Sequence, residues 1–199
     1  MADCGCHLEI KNAAQRRTLR ALLMVNAAMF GLEVAVGTLA QSTALVADSL
    51  DMLADATVYG ISFYAVGRSP IYKTRAAFSS GILQVALASL VLLDVIRKFI
   101  SGSAPEPAFM IGVGLLALVA NVYCLSLLAS HRSGEVHMRS SWIFSKNDVI
   151  ANLSIVVAGL LVRLLQSPIP DLVIGLGVAV LVLRGGLETF KETRREKAQ

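Results

Sequence analysis

The sequence predicts an all-α, polytopic membrane protein with six transmembrane helices and both termini in the cytoplasm. Hydrophobic residues fill 55% of its 199 positions and charged residues only 16%, where an ordinary soluble domain carries about 25% charged residues. Six apolar segments can be cut out at charged or Pro- and Gly-containing breaks, and each approaches the roughly 20 residues that a spanning helix needs. Of the 18 Lys and Arg, all but Arg97, Lys98 and Arg163 lie at the two ends and in alternate connections, which the positive-inside rule assigns to the cytoplasm.

Residues 1–18 read as a cytoplasmic tail, because Asp3, Glu9, Lys11, Arg16 and Arg17 precede any long apolar run, unlike the layout of a cleaved secretory signal. The first span, Leu19 to Leu39, carries Asn26 and Glu33 at i and i+7. The second runs from Leu45 to Val66 and holds three aspartates. The third, Ala76 to Ile96, has Asp94 near its outer end, spaced for a local salt bridge with Arg97 and Lys98. The fourth, Phe109 to Ser130, contains Cys124, read as a small buried thiol. Trp142 to Leu165 and Leu172 to Phe190 complete the set, giving a membrane domain over 19–190. The outer connections AQS, SGSAPEP and QSPIP are short and carry turn-forming residues. The basic tail 191–199 is too short to build a core, so no large soluble domain is expected.

Cys4, Cys6 and Cys124 are an odd number and imply no disulfide framework. The net charge of +4 belongs to cytoplasmic loops and does not call for nucleic acid. Gly112, Gly114, Gly175, Gly177, Gly185 and Gly186 suit close helix packing or local flexibility.

The chemistry concentrates in STALVADSLDMLADA, where Asp48, Asp51 and Asp55 stand at i, i+3 and i+7 and share one side of a helix. A central aspartate in a span costs about 2.5–3.5 kcal/mol on insertion scales, so three of them call for water, protons or a cation. Carboxylates favour hard or borderline divalent ions, and the i, i+4 pair Asp51 and Asp55 can hold one from a single helix. In the fifth span, NDVIAN supplies Asp148 and Asn152, again i, i+4, which join the pair if the two helices face. Each has a plainer reading: Asp148 paired with Lys146 or Arg139, Asn152 as interhelical glue.

With these motifs the chain resembles the cation diffusion facilitator family of divalent metal and proton antiporters, over nearly its whole length. The resemblance implies that the second and fifth spans each give an i, i+4 ligand pair, at Asp51 and Asp55 and at Phe144 and Asp148. Phe144 departs from the pattern, since a phenyl ring cannot ligate a metal. Asp51, Asp55 and Asp148 are therefore the expected metal ligands, with the fourth place or its surround left to water, Asn152, Ser145, Asn147 or Asp48. A second departure is the absence of the cytosolic domain that usually follows the sixth span, so a homodimer is expected through the membrane helices.

The resemblance further implies export of a divalent cation, zinc first, from the cytoplasm across what is expected to be a bacterial inner membrane. The resemblance also implies exchange for protons, which competition of metal and protons for the same oxygens permits. No cofactor is expected beyond the transported ion. Glu33 is a candidate proton relay. Cys4, Cys6 and His7 form a soft cluster suited to collecting metal, and His131 and His137 in the inner loop can shepherd ions to the entrance. Two other functions are weighed by the same residues. A membrane metal sensor or accessory subunit would bind the ion without moving it. An intramembrane aspartyl protease would show a Gly-x-Gly-Asp turn, whereas Ser145, Lys146 and Asn147 precede Asp148.

Overall fold

The computed structural model describes residues 4–65, 70–129 and 136–197, and these form six helices. They are α1 (Cys4–Leu39), α2 (Thr43–Ala65), α3 (Pro70–Ser101), α4 (Pro107–Ala129), α5 (Val136–Leu165) and α6 (Ile169–Lys197). The all-α expectation holds, and each expected span lies on one of the six helices, apart from Val66 and Ser130, which lie outside the described residues.

Three starts follow from local chemistry. Pro70 and Pro107 open their helices, where a missing N–H costs nothing and the fixed φ suits the first turn. At α2 the Ser42 hydroxyl accepts a bond from the Leu45 amide at 3.2 Å, as an N-cap does. The outer turns close through residues of left-handed φ: Gln41 at 53°, Gly102 at 80° and Gln166 at 50°. α1 differs from the expectation, because the helix starts at Cys4 rather than near Leu19. Charged residues such as Lys11 and Arg16 exclude hydrocarbon, but they are good helix formers and carry the helix into the expected tail.

Among the described residues, four helical stretches are long and apolar enough to cross a membrane: Arg16–Leu39, Pro107–Ala129, Asp148–Leu165 and Ile169–Glu188. α2 misses that class because its own carboxylates interrupt the apolar run. Polarity is nonetheless inverted relative to a soluble bundle. Phe99, Leu164 and Val119 are 73%, 77% and 66% exposed, whereas Asn26, Glu33, Asp48, Asn121 and Asn152 are at most 1% exposed. An apolar exterior around a polar interior is what lipid selects.

Helices pair in space as α1 with α2, α4 with α5 and α3 with α6. α2 is the centre. It supplies Ala47 and Leu50 to a core with α3 and α6, and Ala44 and Leu45 to one with α4 and α5. It also gives Met52 and Tyr59 to two clusters with α1 and α4. Two close crossings hold its outer end. A Cβ on Gly37 would lie 2.9 Å from the Leu45 Cβ, and one on Gly175 would lie 2.9 Å from the Thr43 carbonyl carbon. Gly114 and Gly186 are similarly tight, while Gly112 and Gly177 face open space, so the packing role expected of the glycines holds for only part of the set.

Candidate metal site

The α2 stripe turns inward. Asp48 is fully buried, and Asp51 and Asp55 keep partial exposure. From α5, Asp148 is 9% exposed and lies within side-chain hydrogen-bonding reach of both Asp51 and Asp55. The two helices therefore bring together the three residues singled out from the sequence. The side chains of Lys146 and Arg139, the plainer partners expected for Asp148, lie outside the described residues. Among the described residues, no three His, Cys, Asp or Glu side chains converge tightly enough to make a ready coordination shell.

Polar neighbours surround the three aspartates. Tyr59, one turn beyond Asp55 on the same stripe, is buried with its hydroxyl within reach of the Asp55 carboxylate. Asn152 donates Nδ2 to the Asp148 carbonyl at 2.9 Å, so its Oδ1 is left buried and unpartnered. On the far side Asn26 donates to the Leu22 carbonyl at 2.9 Å and approaches the Cys124 Sγ at 3.9 Å. Cys124 is a buried free thiol.

Asp48 points elsewhere. It faces Glu33 of α1, also fully buried. Ser145 and Asn147 sit in α5 just before Asp148, and Phe144 is one turn before it. The side chains of Phe144, Ser145 and Asn147, and those of Cys4, Cys6, His7 and His137, lie outside the described residues, as does the whole of His131.

At the outer end the expected pair forms: the Asp94 carboxylate accepts from Arg97 at 2.6 Å and meets Lys98 at 3.2 Å. Lys98 does more than the sequence suggested, because its Nζ also donates to the Gln41 carbonyl at 3.0 Å and the Thr43 hydroxyl at 2.9 Å. Asp171 escaped the sequence reading altogether. It is fully buried in the first turn of α6 and accepts from the Ser42 hydroxyl at 2.6 Å, the Thr43 amide at 2.8 Å and the Ala44 amide at 3.0 Å. One carboxylate thus satisfies orphan donors of α2 while lying at the positive end of α6. An acidic residue in a first helical turn beside QSPIP was the only signal.

The family model for the cation efflux transmembrane domain matches residues 19–196. The chain belongs to this family. It is similar to the zinc transporter ZitB of Escherichia coli, 27% identical over 204 residues that cover 96% of this chain and 64% of that protein. The metal cation efflux system protein CzcD of Cupriavidus metallidurans is 22% identical over 159 residues, covering 74% of this chain and 50% of its own. The vacuolar zinc transporter ZRC1 of Saccharomyces cerevisiae is 29% identical over 133 residues, covering 60% of this chain and 30% of its own. The chain thus spans less than two thirds of each of these relatives. Membership in a family of cation efflux transporters excludes the protease, and with the spanning helices it makes the chain an integral membrane protein.

Proposed function

We propose that the protein carries a divalent metal cation, zinc first, out of the cytoplasm in exchange for protons, with Asp51, Asp55 and Asp148 as the ligands. The observation that carries this is the meeting of Asp148 on α5 with Asp51 and Asp55 on α2 inside the bundle. Carboxylates at that depth are stable only with a positive charge among them, and three from two helices suit a divalent ion that keeps some water. Asn152 offers an unpartnered oxygen on the same face as Asp148, which fits it to the place that Phe144 does not fill. Similarity to two zinc transporters supports zinc as cargo; an all-oxygen site also admits manganese and other harder ions.

The outer end of α2 is sealed by Asp171 and Lys98, while Asp51 and Asp55 remain partly exposed. That arrangement suits a state open toward the cytoplasm, one half of alternating access around a midplane site. The working unit in this reading is a homodimer in a bacterial inner membrane.

The test is zinc transport into proteoliposomes with a pH-sensitive dye in the lumen. Wild type is expected to accumulate zinc and move protons the other way. Asp55→Asn and Asp148→Asn, each still monodisperse, are expected to lose at least about 100-fold in rate, since removing a buried ligand costs several kcal/mol. Transport retained by either variant overturns the site, and zinc movement without proton movement overturns the exchange.

A further inference from the structure

α1 and α2 form an antiparallel hairpin whose closest approach is set by Gly37 against Leu45 and Val46. One turn inward from that crossing, at i−4 on α1 and i+3 on α2, stand Glu33 and Asp48. The register brings their carboxyls face to face, within hydrogen-bonding reach. Both residues are 0% exposed, and all four of their carboxyl oxygens lack a donor.

Two ionised carboxylates hold no hydrogen between them and cannot satisfy each other. Burying such a pair without a compensating charge is among the costliest arrangements a membrane interior allows. Lys98 is already committed to Gln41, Thr43 and Asp94. Among the described residues the other buried side-chain polar atoms without a partner are Asn26 Oδ1 on α1 and Asn152 Oδ1 on α5, which are acceptors too, and two neutral groups able to donate, Asn121 Nδ2 on α4 and the Ser103 hydroxyl between α3 and α4. The interior is thus short of positive charge on the α1 side of α2 as well as the α5 side.

We propose that Glu33 and Asp48 form a second cation station, which receives the hydrated divalent ion between the Asp51, Asp55 and Asp148 site and the outer face. Its place on α2 fits transit, because Asp48 lies about 4.5 Å along the helix from Asp51 and about 7.5 Å from the outer start at Thr43. Two carboxylates without a third make it a weaker holder than a closed site, and the ion there keeps several waters. A station that binds weakly releases readily, which an exit requires. The location on the exit side rests on the proposed direction of transport; the binding itself does not.

The experiment is calorimetric titration of the purified, metal-free protein in detergent with Mn2+ alone at neutral pH, a hard ion suited to carboxylates and not to the soft Cys4, Cys6 and His7 cluster. Wild type is expected to bind two ions per chain. Glu33→Gln and Asp48→Asn should each remove the weaker ion and keep the tighter one, whose retention certifies the fold. Asp55→Asn with Asp148→Asn should remove the tighter ion and keep the weaker, so that failure of the transport site and failure of this station are read separately. One ion in wild type, or two in both Glu33→Gln and Asp48→Asn, overturns the station and leaves the pair to a shared proton. Should the Gln and Asn variants bind nothing, Glu33→Asp decides: two ions with the second at least about tenfold weaker supports the station, and one ion overturns it.

Discussion

Replacing Asp171 is expected to loosen the outer end of α2 by an amount that the geometry sets. Its Oδ1 accepts from the Ser42 hydroxyl at 2.6 Å and the Ala44 amide at 3.0 Å, and its Oδ2 from the Thr43 amide at 2.8 Å. Bonds to a charged group are worth about 1.5–3 kcal/mol each, and truncation leaves buried donors unpaired. Because the three share one acceptor they do not add fully, and Asp171→Ala should cost about 3–5 kcal/mol. Asp171→Asn keeps one oxygen for Ser42 and Ala44 but turns an amide toward the Thr43 N–H, so it should cost about 1–3 kcal/mol. At about 2–4 °C per kcal/mol for a chain of this size, the Ala variant should melt roughly 10 °C below wild type and the Asn variant roughly half as far. Cys124, 1% exposed, supplies the assay: with Cys4→Ser and Cys6→Ser in place, a maleimide fluorophore reports unfolding as the thiol emerges. An Ala variant that melts with wild type, or an Asn variant worse than Ala, would refute the account of the clamp.

Gly175→Ala places a methyl 2.9 Å from the Thr43 backbone and should destabilise by about 1–3 kcal/mol in the same melting assay. Gly177→Ala, with nothing within 4 Å, should stay within about 0.5 kcal/mol of wild type. Lys98→Met, which strips bonds from Gln41 and Thr43, should lower the melting temperature by several degrees, whereas Arg97→Gln, whose side chain is 69% exposed, should cost at most about 1 kcal/mol. Phe144→His, one turn before Asp148, supplies an imidazole and should raise zinc over manganese preference by about tenfold or more in competitive uptake; an unchanged ratio would detach position 144 from the ion.

How much of this could be read in the sequence depended on range. The helices were legible because apolar runs and breaks are local, and the stripe of Asp48, Asp51 and Asp55 was legible because 3.6-residue periodicity turns spacing into direction. Asp94 was read correctly as a partner for Arg97 and Lys98, since i, i+3 and i, i+4 neighbours meet on any helix. Asp48 was grouped with its helix neighbours, yet its partner is Glu33, chosen by the Gly37 crossing. Asp171 and the second role of Lys98 were invisible for the same reason. Each acts on a different helix, and a lone sequence does not record which helix ends lie side by side. Residues 4–18 illustrate the converse, because charge sets how deep a segment sits in lipid without deciding whether it is helical.

The double cap at Asp171 has a mechanical consequence. By fastening the beginning of α2 to α6, it makes that end a fulcrum and leaves the far end as the free arm of a lever. Twelve residues separate Thr43 from Asp55, about 18 Å of helix, so a tilt of about 10° at the fulcrum sweeps Asp55 through about 3 Å. The same tilt moves Asp48, less than half as far along, by little more than 1 Å. Carboxylates on one rigid rod would thus travel unequal distances in one swing, enough to pull Asp55 out of reach of Asp148 while Asp48 barely leaves Glu33.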